Sequence, residues 1–203
     1  MELIIRKSDK SNFEKTENLT RETFWNLYNP GCVEHFILHQ IRTAGCYIEA
    51  LDMVAIYDDK IIGHIISTKA RVIDNQNMEH EVLCVGPISV LPSFQNNGIG
   101  TKLLNKSIEI AKEMGFIAMI LFGNPDYYHR FGFRNAKDYE ITTKEKQNFE
   151  AFMALELREK GLDNVKGRFF EDDAFAINED ELNEFEKLFP AKEKGKPKID
   201  ISH

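Results

Sequence analysis

The stretch Ser89-Val-Leu-Pro-Ser-Phe-Gln-Asn-Asn-Gly-Ile-Gly-Thr-Lys-Leu-Leu104 is the most informative part of this chain. It leads from an apolar segment through a proline and two closely spaced glycines into a helical pattern. Between Ser89 and Gly100 there is no acid, histidine or cysteine. A loop of this composition offers mostly backbone groups, so its N–H donors are the candidate ligand contacts.

The residues around this loop predict a strand, a helix and a second strand. Residues 81–91 form a largely apolar run that stops at Pro92. Residues 98–114 carry apolar side chains at helical spacing, and residues 116–122 are apolar throughout, as in a strand buried on both faces. The order strand, loop, helix, strand is typical of a βαβ unit with two parallel strands.

A loop that enters a helix presents unpaired N–H groups and the positive end of the helix dipole, which favour an anion such as phosphate. Glycines let phosphate oxygens reach the amides because no Cβ intervenes. The two common nucleotide motifs fail, since G-x-x-x-x-G-K-[ST] is absent and Leu103 stands where G-x-G-x-x-G needs its third glycine. On the glycines alone, a turn that binds nothing remains an equal alternative.

Periodicity and turn residues predict the other elements, and together they indicate a mixed α/β protein, an α+β mixed sheet. The predicted strands are 2–6, 51–57, 61–72, 152–157 and 167–171, and the predicted helices are 9–28, 33–43 and 179–188. Residues 192–198 form a polar, low-complexity tail that we expect to be frayed.

Composition indicates an ordinary soluble globular protein. The 203 residues are 42% hydrophobic and 29% charged, and the net charge is −7. A general nucleic-acid-binding protein should carry a basic face, and no such face is indicated. The sequence contains no apolar stretch of about 18 residues, so we expect no membrane span. The N-terminus does not resemble a signal peptide, so we expect a cytoplasmic protein.

The cysteines predict neither disulfides nor a metal site. Cys32, Cys46 and Cys84 are odd in number and widely spaced, without a CxxC pair. Three reduced thiols, some of them in the core, are the simpler interpretation. We therefore expect no metal.

Two motifs resemble the GNAT N-acetyltransferase family. Gln95-Asn-Asn-Gly-Ile-Gly100 matches the family signature [RQ]-x-x-G-x-[GA], and Tyr128-His-Arg-Phe-Gly-Phe133 matches its Y-x-x-x-G-F segment. With Gly86-Pro-Ile-Ser-Val90 and Asn124-Pro-Asp-Tyr127, the chain is similar to the YhbS-type bacterial branch over roughly residues 2–160. The two motifs in order, separated by a helix and a strand, make the resemblance specific.

The resemblance implies the GNAT acyltransferase fold, a central, mostly antiparallel sheet with a splayed parallel pair and helices on both faces. It also implies acetyl-CoA as co-substrate. The implied contacts are the backbone of Ile88, Ser89 and Val90 for pantetheine and acetyl group, and Gln95, Asn96, Asn97, Gly98, Ile99, Gly100 and Thr101 for the pyrophosphate. Asn124 is a further contact, although it lies four residues before Tyr128 where many members have seven.

Acetyl transfer to an amine needs a neutral amine, an oriented thioester, a stabilised oxyanion and a proton for the leaving thiolate. The resemblance makes Tyr128 the general acid and leaves Tyr127 as a packing aromatic. In some family members a strand glutamate lies where this chain has Cys84. Glu81, acting through water, is the base assigned here. His80 and His64 are alternatives, and for each of the three a purely structural position, such as a solvated strand end for Glu81, is the simpler interpretation.

The resemblance places the acceptor pocket at the first two helices and their loop. Its candidate lining residues are Trp25, Tyr28, Glu34, His35 and Arg42. We expect residues 1–160 to form the N-acetyltransferase domain, and residues 161–203 to form an extension that covers the acceptor site or makes a homodimer contact. The predicted function is acetyl transfer to a primary amine of a small molecule or protein. The alternative is a CoA-binding sensor or scaffold without turnover.

Overall fold

The computed structural model describes residues 2–199 and confirms the predicted mixed sheet. Within these residues, strands β1 to β9 are Ile4–Lys7, Asp52–Tyr57, Lys60–Asp74, Glu79–Val90, Ala118–Phe122, Arg134–Asn135, Ile141–Thr142, Phe152–Glu156 and Gly167–Phe170. Helices α1 to α5 are Phe13–Phe24, Glu34–Ile41, Ile99–Glu113, Pro125–Tyr128 and Glu179–Glu186. In the described part of the chain, no helix combines the length and the apolar character that crossing a membrane requires.

The sheet is mostly antiparallel. Its strands follow the order β1-β2-β3-β4-β5-β8-β6, and β9 pairs with both β3 and β7. Strands β4 and β5 are parallel and are connected through α3, which confirms the predicted βαβ unit. The short pair β7 and β9 is also parallel.

The parallel ladder between β4 and β5 is short. Within residues 2–199 it joins Leu83 to Met119 and Cys84 to Ile120. Gly86 then adopts a φ of +132°, which costs a glycine little but strains a residue with a Cβ. The next residue, Pro87, has no N–H to donate to a ladder. The ladder therefore ends after Cys84, in keeping with the splayed pair that the resemblance implies.

The described residues divide into two compact units. The first contains residues 2–66, Pro87–Leu104 and 173–199, and the second contains Ser67–Gly86 and Asn105–Asp172. Strands β3 and β4 and helix α3 each contribute residues to both units.

In the first unit, β3 packs against helices on both of its faces. A Cβ at Gly63 would lie 3.0 Å from side-chain atoms of both Ile99 and Leu103 in α3, so glycine allows the close approach. The next residue, His64, points to the opposite face because side chains alternate along a strand. There its ring contacts Arg42, which follows α2. Because the side chains of β3 alternate, α3 packs on one face of this strand and the end of α2 packs on the other.

The C-terminal segment, residues 173–199, belongs to the first unit and packs on α1 and α2. Gln40 Nε2 donates to the carbonyl of Ala174 at 2.9 Å. The ring of Phe185 in α5 lies 5.3 Å from that of His35 and 5.4 Å from that of Phe36. The predicted acidic helix therefore buries an aromatic face against α2.

The polar tail is more ordered than its composition predicts. Trp25 Nε1 donates to the carbonyl of Glu193 at 2.9 Å. The amides of Lys198 and Ile199 donate to the carbonyls of Asn26 and Leu27, both at 2.9 Å. The expectation of a frayed tail is therefore wrong for residues 192–198, because Trp25 and the loop after α1 supply the partners that the tail lacks by itself.

Candidate active site

The glycine loop, residues 95–101, is shaped by its own amide side chains. Gln95 Nε2 donates to the carbonyl of Val90 at 3.1 Å, and Asn97 Nδ2 donates to that of Phe94 at 3.2 Å. Asn96 and Gly98 both adopt left-handed backbone conformations, with φ of +63° and +74°. The two left-handed residues turn the chain so that it enters α3 directly after Gly98.

The N-terminus of α3 leaves backbone donors available. The amide of Lys102 donates to the carbonyl of Gly98 at 3.0 Å, which is the first bond of the helix. Among residues 2–199, no acceptor engages the amides of Gly98, Ile99 or Gly100. The Ile99 side chain is buried, so this residue offers only its backbone to a ligand. Donors without acceptors at the positive end of a 15-residue helix suit an anion.

The end of β4 is fixed by α1. Ser89 is fully buried, and its hydroxyl lies 3.0 Å from that of Thr20. The carbonyl of Val90 accepts a hydrogen bond from Thr23 Oγ1 at 3.3 Å, in addition to that from Gln95. The side chain of Ser89 is thus structural, so this residue can offer only its backbone to a ligand.

In the second unit, Tyr128 ends α4 and is 9% exposed. Its ring makes edge contacts with Tyr127 and Phe133, with centroids 4.9 Å and 5.7 Å away. It also lies directly over Gly123, where a Cβ would come 2.2 Å from the ring carbon Cε2. Gly123 is therefore a positioning residue for Tyr128 that the sequence did not reveal, because the contact depends on the ring's orientation.

Asn124 caps α4. Its Oδ1 accepts a hydrogen bond from the amide of Asp126 at 2.9 Å, and its carbonyl accepts from the amides of Tyr127 and Tyr128. Pro125 occupies the first position of the helix, where a missing N–H costs nothing. The short helix thus explains the altered spacing between Asn124 and Tyr128. The Asn124 side-chain oxygen is engaged in the cap, and its Nδ2 remains the atom for a ligand.

The candidate bases on β4 lie in exposed ion pairs. The Glu81 side chain is 58% exposed, and its Oε2 lies 3.6 Å from Lys69 Nζ. His80 Nε2 lies 3.0 Å from a carboxylate oxygen of Asp74, and this histidine lowers the pKa of that aspartate. The hydrogen bond explains His80 without a catalytic role, whereas Glu81 keeps the solvent access that a water-mediated base requires.

His64 belongs to a buried charge cluster in the first unit. Its Nε2 lies 2.8 Å from Asp52 Oδ1, and Arg42 Nε donates to Asp52 Oδ2 at 3.1 Å. Burial lowers the pKa of His64 against the raising effect of Asp52. Burial alone would raise the pKa of Asp52, but His64 and Arg42 lower it overall. The cluster ties α2 to the sheet, which is a structural role for both His64 and Arg42.

Several residues expected to line an acceptor pocket at α1 and α2 are inaccessible. Trp25 is 5% exposed and His35 is fully buried, and both contact the C-terminal segment. The Arg42 side chain is 2% exposed. Glu34 Oε2 accepts from the amide of Val33 at 3.1 Å at the start of α2. Trp25 and His35 are therefore covered by residues 173–199, whereas Arg42 is buried by its ion pairs with Asp52 and Glu17.

One acid in the second unit was missed by the sequence analysis. Glu171 directly follows β9, and its Oε1 lies 3.7 Å from the thiol sulfur of Cys84. Burial raises the pKa of Glu171 against the opposing effect of the Cys84 thiol. A carboxylate therefore lies beside Cys84, the strand position at which the family resemblance leads one to look for a glutamate. The acid at the end of the predicted strand 167–171 was the available signal, but its partner is 87 residues away.

Comparisons with known proteins all point to one family of acetyltransferases. A sequence model described as the acetyltransferase (GNAT) family matches residues 12–133. A protein named "Uncharacterized N-acetyltransferase YjhQ" from Escherichia coli K12 is 33% identical over 85 residues, which cover 41% of this chain and 46% of that protein. The "Uncharacterized N-acetyltransferase YhbS" of the same strain is 24% identical over 132 residues, covering 64% and 76%. The chain thus spans less than half of the first relative.

Solved structures share the fold. The YhbS structure from Escherichia coli in complex with CoA has a TM-score of 0.76 at 22% identity, covering 85% of this chain and 91% of that one. A GNAT family acetyltransferase from Brucella melitensis in complex with acetyl-CoA has a TM-score of 0.71 at 25% identity, covering 86% and 99%.

Proposed function

Because the chain belongs to the GNAT acetyltransferase family, we propose that it transfers the acetyl group of acetyl-CoA to a primary amine. The observation that carries the proposal is the start of α3, where the amides of Gly98, Ile99 and Gly100 have no acceptor among residues 2–199. Their donors and the helix dipole suit the pyrophosphate of coenzyme A. CoA and acetyl-CoA in two related structures support the choice of this ligand.

The proposed contacts with acetyl-CoA come from three parts of the chain. The glycine loop binds the pyrophosphate through backbone amides, including those of Asn96, Asn97 and Thr101, while Gln95 and Asn97 hold the loop in shape. The backbone of residues 88–90 binds pantetheine and the acetyl group. Asn124 contributes its side-chain amide. Acetyl-CoA supplies an activated acyl group, so the protein needs only to orient it and to manage protons.

Tyr128 is the proposed general acid. Its ring is held by Gly123, Tyr127 and Phe133, so the hydroxyl has a defined position. A phenol has a reference pKa of about 10 and can supply a proton as negative charge develops on sulfur. Glu81, acting through water, stays the base predicted from the sequence.

Calorimetry with acetyl-CoA, followed by thiol release with a panel of amines, tests the proposal. Binding together with amine-dependent thiol release supports acetyl transfer. Binding without release to any amine would favour the sensor or scaffold alternative. Absence of binding would remove the proposed role of the glycine loop. The panel should contain small amines and peptides with free N-termini, because one fold relative is a ribosomal-protein-S18-alanine N-acetyltransferase.

A further inference from the structure

One face of the sheet in the second unit carries both aromatic and acidic groups. The ladders place Cys84 beside Ile120 and Phe122 beside Phe152. Directly paired residues share a face, and so do residues two apart on one strand. Cys84, Ile120, Phe122 and Phe152 therefore lie on the same face, across β4, β5 and β8.

Four phenylalanines on this face form what we call the aromatic face: Phe122, Phe149, Phe152 and Phe169. The Phe122 ring stacks on Phe149 and Phe152, with centroids 5.9 Å and 5.0 Å away. Phe169 lies 5.9 Å from Phe152. Phe152 and Phe169 are buried, whereas Phe122 is 43% exposed and Phe149 is 45% exposed. A buried aromatic floor with two exposed rings can receive an apolar group.

Glu171 joins the same face from β9. It follows Phe169 by two residues, and its Oε1 lies 3.7 Å from the Cys84 thiol. The contact with Cys84, which lies on this face beside Ile120, thus puts the carboxylate on the side of the aromatic face. Among residues 2–199, the thiol is the one hydrogen-bond partner of this carboxylate. The carboxylate therefore keeps acceptor capacity for a ligand.

We propose that Glu171 and the aromatic face form the acceptor subsite, which takes a primary ammonium group carried on an apolar or aromatic body. The proposal rests on the acetyl-transfer function proposed above and names its substrate class. A carboxylate complements the ammonium charge, and aromatic rings bind both the apolar body and, through their faces, the cation. Three of the residues expected to line an acceptor pocket at α1 and α2, Trp25, His35 and Arg42, have buried side chains, whereas Phe122 and Phe149 are open to solvent.

In this proposal Glu171 takes the role of base in place of Glu81, the residue predicted from the sequence, and the protons balance as follows. The ammonium first gives one proton to the Glu171 carboxylate and becomes a nucleophilic amine. The nitrogen then forms its bond to the acetyl carbon, and the bond from that carbon to sulfur breaks. A second proton leaves the nitrogen as the amide forms and replaces the one that Tyr128 donates to sulfur. The third proton stays on the amide, and Glu171 returns its proton to water.

Burial makes Glu171 a better base than an exposed carboxylate. The pKa of Glu171 is raised, first by burial and then by Glu145, while the Cys84 thiol and Lys144 oppose the shift. A raised pKa brings the base closer to the working pH, where general-base catalysis is most efficient. The ionised form is needed, so activity should fall as the pH drops through this raised pKa.

The kinetic test compares Glu171→Gln with wild type over a pH series, using 2-phenylethylamine as acceptor. We expect kcat/KM at neutral pH to fall about 100-fold and the acidic limb of the profile to disappear. In place of the limb set by Glu171, the remaining activity should rise steadily up to the pKa of the amine itself, because only neutral amine then reacts, while acetyl-CoA affinity stays unchanged. Glu145→Gln, which removes an exposed charge near the same carboxylate, is the matched control and should keep the limb.

The binding test uses Phe149→Ala, because this exposed ring can be removed with little effect on folding. Its affinity for 2-phenylethylamine should fall about 10-fold, whereas that for methylamine should hardly change. Met114→Ala is the control, since Met114 is also in the second unit and is 47% exposed. Calorimetry without acetyl-CoA measures both amines in wild type, Phe149→Ala and Glu171→Gln.

The outcomes separate the two proposals. Equal amine binding by wild type, Glu171→Gln and Phe149→Ala, or no binding at all, overturns the acceptor subsite. Selective loss of 2-phenylethylamine binding supports the subsite even when no thiol is released, in which case acetyl transfer is the proposal that fails. A Glu81→Gln variant that loses the acidic limb, beside a normal Glu171→Gln variant, would assign the base to Glu81 instead.

Discussion

At the scale of the residue, Tyr128 is the side chain on which the proposed chemistry depends most. Tyr128→Phe keeps the ring and its contacts with Gly123 and Phe133 but removes the proton donor. We expect kcat to fall by roughly 100-fold, at the lower end of general acid catalysis. Acetyl-CoA affinity and the melting temperature should hardly change, because the hydroxyl matters as charge develops on sulfur. Steady-state kinetics under conditions where chemistry limits the rate would measure this.

Tyr127→Phe is the internal control for that variant. Tyr127 is partly exposed, and its ring packs against Arg130, whose guanidinium carbon lies 4.1 Å from the ring centroid. Its hydroxyl should therefore be dispensable. An impaired Tyr127→Phe beside a normal Tyr128→Phe would move the acid by one residue, and two normal variants would leave water as the proton source.

Gly123→Ala tests how the position of Tyr128 matters. The new methyl group would come 2.2 Å from the Tyr128 ring, so the ring must move. We expect kcat to fall about 10-fold or more, since a displaced acid loses its alignment. Acetyl-CoA binding through the glycine loop should persist, which calorimetry can verify. A normal kcat would show that the hydroxyl needs no fixed position.

At the residue scale, the sequence reveals a candidate where a motif has a fixed spacing, but it does not reveal a contact that is made through space. The glycine loop and Tyr128 were recognisable because both patterns are local in the chain. Glu171 was not assigned, since only the folded sheet brings it beside Cys84. Likewise the role of Gly123 depends on a ring orientation that composition does not encode.

At the scale of the element, the glycine loop is an anion site only if its backbone keeps its shape. Gly98 has a φ of +74°, and no atom lies within 4 Å of a Cβ built there. Gly98→Val is therefore strained by its backbone and not by crowding, at a cost of about 1–2 kcal/mol. Relaxation of the loop should weaken acetyl-CoA binding about 10-fold. Isothermal calorimetry measures the change.

Gly45→Ala is the matched control for the loop. A Cβ at Gly45 also meets nothing within 4 Å, and its φ is outside the left-handed range. Affinity should stay at the wild-type value. Unchanged affinity in a folded Gly98→Val variant would contradict the proposed role of the loop, because its amides could then bind without this conformation.

Elements with a strong period were predicted well. Helix α3 and strand β5 were expected at 98–114 and 116–122 and occur at Ile99–Glu113 and Ala118–Phe122. The four-residue helix α4 was not predicted, because its cap and its proline are local signals without a hydrophobic period. Strands β6 and β7 have two residues each, too few for any period to show.

At the scale of the whole molecule, the C-terminal segment determines which surfaces of the first unit are open. Its composition predicted an acidic helix and a tail, but not where they pack. The structure supplies aromatic partners for Phe185 on α2 and backbone partners for Ile199 beside α1. Long-range docking of this kind depends on surface shape, which sequence periodicity does not describe.

The segment also creates a pH-sensitive contact. Arg21 Nε donates to Glu186 Oε1 at 2.8 Å, and His35 Nε2 lies 2.9 Å from Glu186 Oε2 without a well-aligned hydrogen bond. His35 is fully buried between the rings of Phe185 and Phe189. Burial lowers the pKa of His35 to about 4, outweighing the raising effect of Glu186, while Arg21 and His39 lower it further.

This lowered pKa makes stability depend on pH. Unfolded His35 binds a proton below its ordinary value of 6.5, whereas the folded protein resists protonation until about 4. The contribution of neutral His35 to the free energy of unfolding is therefore fully present above pH 6.5 and is lost as the pH falls towards 4. The free energy of unfolding should drop by about 2 kcal/mol from pH 7 to pH 5 through this group alone.

Urea unfolding at pH 7 and pH 5 compares wild type with His35→Gln. The variant should be less stable at pH 7, because it loses the ring contacts with Phe185 and Phe189, but it should lose about 2 kcal/mol less on acidification. The buried His64 also has a lowered pKa, but both proteins contain it, so its effect cancels in the difference. His129→Gln, which removes an exposed imidazole, is the control and should follow wild type. If wild type and His35→Gln lost equal stability, the C-terminal segment would not keep His35 neutral, and its packing on α2 would be looser in solution than these contacts imply.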